Sequence, residues 1–229
     1  MLQLYSYQLV DDEVFQNFFD SVKLKLPNDI LKKIQSFRFL KDQQRSMIAD
    51  LLIRKYYFEK LQIPPSDLSF TYNAHEKPLL CGIENEFFNA SHSGNFVVAA
   101  FSKFQIGVDV EEIRKDRRAI AERFFTPHEI EDMKSAGNEQ QQIHYFFQLW
   151  TLKESYMKAI GSGMSMSLSS FSFQKKDQEF SLAFSKDDKD WHFHSQLWKE
   201  QAYLSICSKE KVLPKITETN LDHLKSIFS

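Results

Sequence analysis

Apolar residues follow strand and helix spacings along the chain, in an order that occurs twice. In the first part, alternating or continuous apolar runs predict strands at 1–10, 68–72, 87–91 and 96–101. Apolar residues at helical spacing predict helices at 12–25, 28–40 and 42–62. The last of these helices is the clearest, and Pro64 and Pro65 follow it where a helix has to stop.

The second part offers the same succession of a strand, helices with one long amphipathic member, and short strands. A strand is predicted at 105–113, a helix from Asp116 to about Phe125, a long helix at 139–160, and strands and turns at 168–207. Thr126-Pro127-His128-Glu129 has the composition of a helix start, with Glu129 as the capping-box partner of Thr126. Gly161 and Gly163 end the long helix. We therefore predict two similar halves, 1–104 and 105–229.

Composition narrows the classes of function. The chain has 229 residues, of which 42% are hydrophobic, and a net charge of −2, so no overall basic field favours nucleic acid. The two cysteines, Cys81 and Cys207, lie far apart, which argues against a disulfide framework or a zinc site and fits a reducing cytoplasm. We expect no signal peptide and no membrane span, because no apolar run approaches the ~20 residues that a span needs.

Two carboxylates on one predicted strand are the first candidate site. Asp109 and Glu111 are two residues apart and so point to the same face, while Val108 and Val110 point to the other. Adjacent carboxylates repel each other, and such a pair is tolerated where a cation or solvent neutralises it. The pair by itself therefore fits either a metal site or a solvated edge strand.

The long second helix adds a third carboxylate and a lysine. Glu154 and Lys158 are one helical turn apart on the same face. Taken alone they would be a surface ion pair, worth ~0.3–0.5 kcal/mol. Taken with the strand carboxylates they suit a Mg²⁺–phosphate site, since magnesium prefers a few carboxylates together with phosphate oxygens and water.

These segments carry a resemblance to a known family. Residues 107–111 (GVDVE) and 150–159 (WTLKESYMKA) resemble the two signature motifs of 4′-phosphopantetheinyl transferases, at the family's spacing. Residues 88–98 (FNASHSGNFVV), with Lys77-Pro78 before them and Arg45-Ser46 in the first long helix, are similar to further segments of the larger, surfactin-synthetase-activating type. The resemblance covers roughly residues 35 to 175.

The resemblance implies a fold and a set of site residues. The fold is α+β, a pseudo-twofold duplication of two halves, each a small mostly antiparallel sheet packed with helices, with coenzyme A in the cleft between them. The implied ligands of Mg²⁺, for which Mn²⁺ is a possible substitute, are Asp109, Glu111 and Glu154. The implied coenzyme-binding residues are Lys33, Arg45, Lys77, Ser91, His92 and Lys158.

The implied reaction moves the 4′-phosphopantetheine arm of coenzyme A to a serine of an apo acyl or peptidyl carrier protein and releases adenosine 3′,5′-bisphosphate. Glu154 and Lys158 are the candidate catalytic residues, with Glu154 taking the serine proton directly or through a metal-bound water. We expect a monomer whose carrier-docking candidates are residues 114–118 and 123–125, although a solvated charge run explains these residues equally well. Two other functions are compatible with the same residues: a metal-dependent phosphodiesterase and a non-catalytic coenzyme A-binding module.

Overall fold

The computed structural model describes residues 2–114, 116–176, 179–184, 190–211 and 213–228. The strands are β1 (Gln3–Gln8), β2 (Phe70–Tyr72), β3 (Pro78–Leu80), β4 (Phe87–Ser93), β5 (Phe96–Ser102), β6 (Ile106–Glu112), β7 (Ser172–Lys176), β8 (Glu179–Phe184), β9 (His192–Trp198), β10 (Ala202–Ser208) and β11 (Lys215–Glu218). The helices are α1 (Asp12–Val22), α2 (Asn28–Ser36), α3 (Leu40–Leu61), α4 (Ala121–Phe124), α5 (Pro127–Lys134), α6 (Glu139–Ile160) and α7 (Leu221–Lys225).

Two small sheets organise the molecule. The first has the strand order β11-β1-β5-β4, and the second has the order β6-β10-β9. Apart from the parallel pair of β1 with β11, neighbouring strands in both sheets run antiparallel. The hairpins β2-β3 and β7-β8 stand beside these sheets as separate two-stranded units.

Each sheet carries one 22-residue helix on its outer face, α3 on the first sheet and α6 on the second. The core of the first half lies between α3 and the side chains of β1 and β5 that face it, such as Tyr5 and Phe101. The core of the second half lies between α6 and the outward face of β10 and β9. The inner faces of the two sheets, including Leu4, Val98 and Val108, form a third apolar cluster between the halves.

This architecture confirms the predicted α+β fold of two similar halves. Strands β1, β5 and β4 occupy the same order in the first sheet as β6, β10 and β9 in the second, and each half contains one 22-residue helix. The duplicated order of elements in the sequence therefore corresponds to duplicated packing.

Residues after 208, which follow the last predicted strands, complete the first sheet. Strand β11 pairs in parallel with β1, with Leu4 opposite Ile216. Leu224 and Ile227, on α7 and the turn after it, are buried in the core of the first half. The division of the chain at 104/105 stays a prediction. The last residues of the chain return to the first half, where β11 pairs with β1.

Two predicted helices differ clearly from the observed elements. The helix predicted at 28–40 ends at Ser36, and residues 37–39 form an extended break before α3. The helix predicted from Asp116 to Phe125 is a 3₁₀ turn followed by the short helix α4. The start of α5 is as predicted, because Thr126 and Glu129 form both hydrogen bonds of a capping box.

No helix in the described ranges is long and apolar enough to cross a membrane.

Candidate active site

Strands β4 and β6 meet edge to edge where the two halves join, and side chains instead of backbone carbonyls link them. Three alternate residues of β4 accept hydrogen bonds from the β6 backbone. Asn89 Oδ1 accepts from Val108 N at 2.9 Å, Ser91 Oγ from Val110 N at 3.4 Å, and Ser93 Oγ from Glu112 N at 3.2 Å. We call these three residues the β4 seam. The seam satisfies amide groups of β6 that would otherwise be unpaired at the sheet edge.

The same serines orient the two carboxylates of β6. Ser91 Oγ donates to Asp109 Oδ1 at 2.8 Å, and Ser93 Oγ donates to Glu111 Oε2 at 2.7 Å. Asp109 is buried, whereas Glu111 is half-buried. Each serine thus accepts one bond from the β6 backbone and donates another to a β6 side chain, which limits the rotation of both carboxylates.

Helix α6 brings a lysine onto this pair. Lys158 Nζ donates to Asp109 Oδ1 at 2.6 Å and to Ser91 Oγ at 2.9 Å. The approach depends on Gly107, because a Cβ at this position would fall on the carbonyl of Ser155 and the amide of Ala159. Strand β6 therefore lies directly against the α6 backbone, and the GVDVE and WTLKES segments meet at this contact.

Burial and neighbouring negative charges raise the pKa values of the other two carboxylates of the site, Glu154 and Glu111. Burial raises the pKa of Glu154, and the charges of Asp109 and Glu111 raise it further against the opposing effect of Lys158. Burial likewise raises the pKa of Glu111, with a smaller contribution from Asp109, although the bond from Ser93 opposes the rise. The three carboxylates therefore interact with one another across β6 and α6.

The carboxylates of this site are the available oxygen donors for a divalent cation. The described residues hold no group of three or more His, Cys, Asp or Glu side chains gathered as metal ligands, and Lys158 lies on one oxygen of Asp109. The other oxygen, Asp109 Oδ2, is buried without a hydrogen-bond partner. A buried carboxylate oxygen with no partner, beside two more carboxylates that repel it, fits a hard cation such as Mg²⁺.

His92 and Arg45 lie on the exposed side of the same junction. Arg45, on α3, donates to the carbonyl of Gly94 at 2.7 Å and pairs with Asp42. Partial desolvation lowers the pKa of His92, and the positive charges of Arg45 and Lys158 lower it further. Two cationic side chains therefore act on one imidazole, an arrangement suited to an anionic ligand.

The other two predicted coenzyme-binding residues lie apart from this group. Lys33 is exposed on α2, where its charge acts on Asp50 of α3. Lys77, which directly precedes β3, directs its ammonium to backbone carbonyls at the end of α6, and burial lowers its pKa to about 8. Their roles in binding coenzyme A stay predictions.

Some of the predicted docking residues contact other residues of the chain, and others are exposed. Arg118 is hydrogen bonded to Asp116, Glu139 and Gln142. Phe125 is buried in the core of the second half, and Phe124 packs edge to face on Trp150. Arg117 is exposed, and Lys115 lies outside the described residues.

Comparison with known proteins identifies the family. A family model described as 4′-phosphopantetheinyl transferase superfamily matches residues 105–207, and one described as 4′-phosphopantetheinyl transferase, N-terminal, matches residues 15–104. The chain is 36% identical over 172 residues to a 4′-phosphopantetheinyl transferase of Bacillus pumilus, covering 74% of this chain and 73% of that protein. The chain belongs to the 4′-phosphopantetheinyl transferase family. The resemblance that its motifs carry is confirmed.

Other relatives agree with this assignment. The chain is 35% identical to a 4′-phosphopantetheinyl transferase of Aneurinibacillus migulanus, covering 74% of this chain and 70% of that protein. It is 36% identical to the 4′-phosphopantetheinyl transferase Sfp of Bacillus subtilis, but it spans only 62% of that protein's length. A solved holo-[acyl-carrier-protein] synthase from Thermotoga maritima is 19% identical, covering 47% of this chain and 64% of that chain, and its TM-score of 0.40 is too low to carry an argument.

For this member of the family, sequence reasoning missed the functional part of the β4 seam. Asn89 and Ser93 lie within the segment 88–98, but the resemblance implies no role for them. The available signal was the alternation of polar residues at 89, 91 and 93, since residues two apart on a strand share a face. The neighbouring sequence does not indicate what this face contacts, because its partner strand, β6, lies 18 or 19 residues farther along the chain.

Replacing Ser93 tests the seam. We expect Ser93→Ala to lose about 1–3 kcal/mol in the free energy of unfolding, because the Glu112 amide and the Glu111 carboxylate both lose a partner. Ser93→Thr keeps the hydroxyl and suits a strand, so it should retain most of this stability. Urea unfolding of the two variants beside the wild type measures the difference. Equal stability of the alanine and threonine variants would show that the seam is not stabilising.

Proposed function

We propose that this protein transfers the 4′-phosphopantetheine group of coenzyme A to a serine of an apo acyl or peptidyl carrier protein. The observation that supports it most directly is the cluster in which Lys158 and Ser91 share Asp109, with Glu111 and Glu154 beside it. A phosphate-binding cation, hydroxyl donors and carboxylates together are the parts that phosphoryl transfer requires.

The reaction forms one bond and breaks another at the same phosphorus. The carrier serine oxygen attacks the β-phosphorus of coenzyme A, and the bond to the leaving adenosine 3′,5′-bisphosphate breaks. We assign the serine proton to Glu154, because this carboxylate lies on α6 one turn before Lys158 and interacts with Asp109 and Glu111. Lys158 stabilises the negative charge of the pyrophosphate.

Asp109, Glu111 and Glu154 are the residues that we propose to hold Mg²⁺, with Mn²⁺ as a possible substitute. A divalent ion bound there would supply charge neutralisation for the pyrophosphate. The orphaned Asp109 Oδ2 and the mutual repulsion of the carboxylates support this assignment. The seam serines hold the carboxylates in their orientations before a cation arrives.

The remaining phosphates of coenzyme A require basic groups at the same junction. We assign them to His92, Arg45 and Ser91, which lie around the β4–β5 turn. Lys33 of α2 lies apart from this junction, and its contact with the coenzyme stays a prediction. The lowered pKa of His92 means that anion binding would favour its charged form and draw a proton onto the ring. Lys77, for which the resemblance implies a contact with the nucleotide end of the coenzyme, directs its ammonium to the end of α6.

The partners and location follow from the same features. We propose a monomer, because both sides of the site, β4 on one and β6 with α6 on the other, belong to one chain. A net charge of −2 supports a protein that binds neither nucleic acid nor an anionic membrane surface. Two cysteines that are free thiols support a cytoplasmic location.

An intact-mass assay tests the reaction. The protein is mixed with coenzyme A, Mg²⁺ and a panel of apo carrier proteins, with a chelator in the control. We expect a carrier to gain one phosphopantetheine unit only when metal is present. Cleavage of coenzyme A without a mass gain would indicate the phosphodiesterase, and binding without either change would indicate the non-catalytic module.

The docking hypothesis makes a separate prediction for Arg117. Because Arg117 is exposed while Arg118 is occupied by Asp116 and Glu139, Arg117→Glu should weaken capture of an acidic carrier. We expect kcat/KM for the carrier to fall about tenfold, as steady-state kinetics would measure. The Kd of coenzyme A, measured by calorimetry, should change less, although the Arg117 charge also acts on Glu111. Lys176→Glu, on exposed β7, is the matched charge reversal and should leave kcat/KM unaltered. A loss of coenzyme affinity that accounts for the whole fall in kcat/KM would contradict docking.

A further inference from the structure

The hairpin formed by β2 and β3 reaches from the first half to the last turn of α6. Lys77 Nζ donates to the carbonyls of Lys158 at 2.5 Å and Ala159 at 3.0 Å, and it lies 3.4 Å from the carbonyl of Ile106. Asn73 Nδ2 donates to the carbonyl of Gly161 at 3.0 Å. Two side chains of the first half thus bind the terminal carbonyls of α6, which have no partner within the helix.

The hairpin is itself shaped to present these two side chains. Asn73 Oδ1 accepts hydrogen bonds from the amides of His75 and Lys77, both at 2.9 Å, and the amide of Asn73 donates to the Lys77 carbonyl. The Asn73 side chain therefore fixes the turn with its oxygen and contacts α6 with its nitrogen. Lys77, at the other end of the turn, is positioned by the same bonds.

The end of α6 is equally fitted to the hairpin. Gly161 has a φ of +76°, and a Cβ added there would stand 3.0 Å from Lys77 Cδ and 3.1 Å from Asn73 Nδ2. Glycine is thus required both by the backbone conformation and by the closeness of the hairpin. The fit involves both surfaces, so the contact is not a chance approach of one long side chain.

We propose that Asn73 and Lys77 form a clamp that positions α6, so that Lys77 acts on the reaction through the helix and is not a coenzyme ligand. The helix end that they hold includes Lys158, whose side chain lies on Asp109, and Glu154 is one turn earlier. The Lys77 ammonium also complements the negative end of the α6 dipole. This role rests on the proposed transferase function, and it replaces the contact with the nucleotide end of the coenzyme that the resemblance implies for Lys77.

Three variants disturb the clamp from different sides. Lys77→Met keeps the apolar stem and removes the ammonium. Asn73→Asp keeps the oxygen that fixes the turn and removes the donor to Gly161. Gly161→Ala pushes against the hairpin without touching either donor, and its matched control is Gly82→Ala, where φ is +71° but no atom lies within 4 Å of the added Cβ.

The clamp predicts one shared result from the three variants. Each should lower kcat by about tenfold or more, because α6 no longer holds Glu154 and Lys158 in place, while the Kd of coenzyme A changes by less than about threefold. Gly82→Ala should keep the wild-type kcat. If Lys77 instead binds a coenzyme phosphate, Lys77→Met alone will raise the Kd, and Asn73→Asp and Gly161→Ala will have normal kcat; that pattern overturns the clamp.

Amide hydrogen exchange decides the question without relying on activity. In the Lys77→Met variant, the amides of residues 158–163 should exchange about tenfold faster than in the wild type, since their last turn loses its external partners. Unchanged exchange in this segment would refute the clamp. If the wild type transfers nothing to any carrier, the proposed reaction fails, but the exchange result still tests the clamp on its own.

Discussion

Glu154→Gln is expected to make the protein a poor catalyst and a more stable fold. We expect transfer to slow by about 10²- to 10⁴-fold, the range that a positioned proton acceptor contributes, because glutamine takes no proton from the carrier serine. At the same time the thermal midpoint of the metal-free protein should rise. The rise follows from the environment of the side chain, where burial and the charges of Asp109 and Glu111 disfavour the ionised form.

The direction of the stability change depends on which form of the carboxyl the fold prefers. The pKa of Glu154 is raised above its ordinary value of 4.5, so the folded state holds the proton more tightly than the unfolded chain does. The stability associated with Glu154 is therefore complete below the ordinary value and is lost as the pH rises through the folded pKa. At pH 7 the glutamine variant avoids this loss, and each 1 kcal/mol gained moves the midpoint by about 2–4 °C in a chain of this size.

Calorimetric scans at pH 5 and pH 7, with the mass assay beside them, measure both effects. The gain in midpoint over the wild type should be larger at pH 7 than at pH 5. Glu131→Gln, an exposed carboxyl on α5, is the matched control and should change neither quantity. If the glutamine variant turns over at the wild-type rate with normal coenzyme affinity, Glu154 does not take the serine proton. An unchanged thermal midpoint would contradict the destabilising effect of the ionised Glu154 carboxylate.

The second large effect is expected at an ion pair that is buried in the core of the second half. Lys153 Nζ lies 2.9 Å from Glu129 Oε1, and neither side chain has any exposed surface. The ammonium also donates to the carbonyls of Leu168 and Phe171, both at 2.8 Å. The carboxylate accepts from the amide of Phe173 at 2.9 Å as well. One pair therefore joins α5, α6 and the chain that leads into β7.

Removing one charge of this pair leaves the other buried and uncompensated. We expect Glu129→Gln to lower the free energy of unfolding by about 3–5 kcal/mol, which corresponds to a fall in the thermal midpoint of roughly 6–20 °C. The two amides of Thr126 and Phe173 donate to different oxygens of Glu129, so the single oxygen of the glutamine keeps only one of these bonds, and the variant loses a hydrogen bond together with the charge. The double variant Glu129→Gln with Lys153→Met removes both charges and should recover part of the stability.

The contribution of Lys153 to the stability of this variant changes with pH in the opposite direction to the contribution of Glu154 in the wild type. Burial already lowers the pKa of Lys153 below its ordinary value of 10.5, and Glu129 opposes that fall. Without Glu129 the folded pKa falls further, so the unfolded chain binds the proton more tightly over the interval between the two values. The stability of Glu129→Gln should consequently rise with pH towards 10.5, relative to the wild type. A variant that loses less stability than Glu131→Gln, or shows no rise with pH, would contradict this account.

Much of the local structure could be predicted from spacing alone. The capping box of Thr126 and Glu129, the shared face of Asp109 and Glu111, and the long helix that ends at Gly161 depend on neighbours within about four residues. These features can be predicted from the sequence because the backbone geometry of a helix or strand determines which residues share a face. The duplicated order of elements followed in the same way, and with the motifs it led to the fold and the family.

The sequence could not show what each face would contact. Glu129 caps α5 as its spacing indicates, but its ion pair with Lys153 joins residues on different helices. The seam of Ser91 and Ser93 against β6, the return of β11 to β1, and the contact of Lys77 with α6 are of the same kind. Periodicity fixes the direction of a side chain but not the element that arrives opposite it. That partner is decided by the packing of the two halves, and in this protein the packing brings the candidate catalytic groups together.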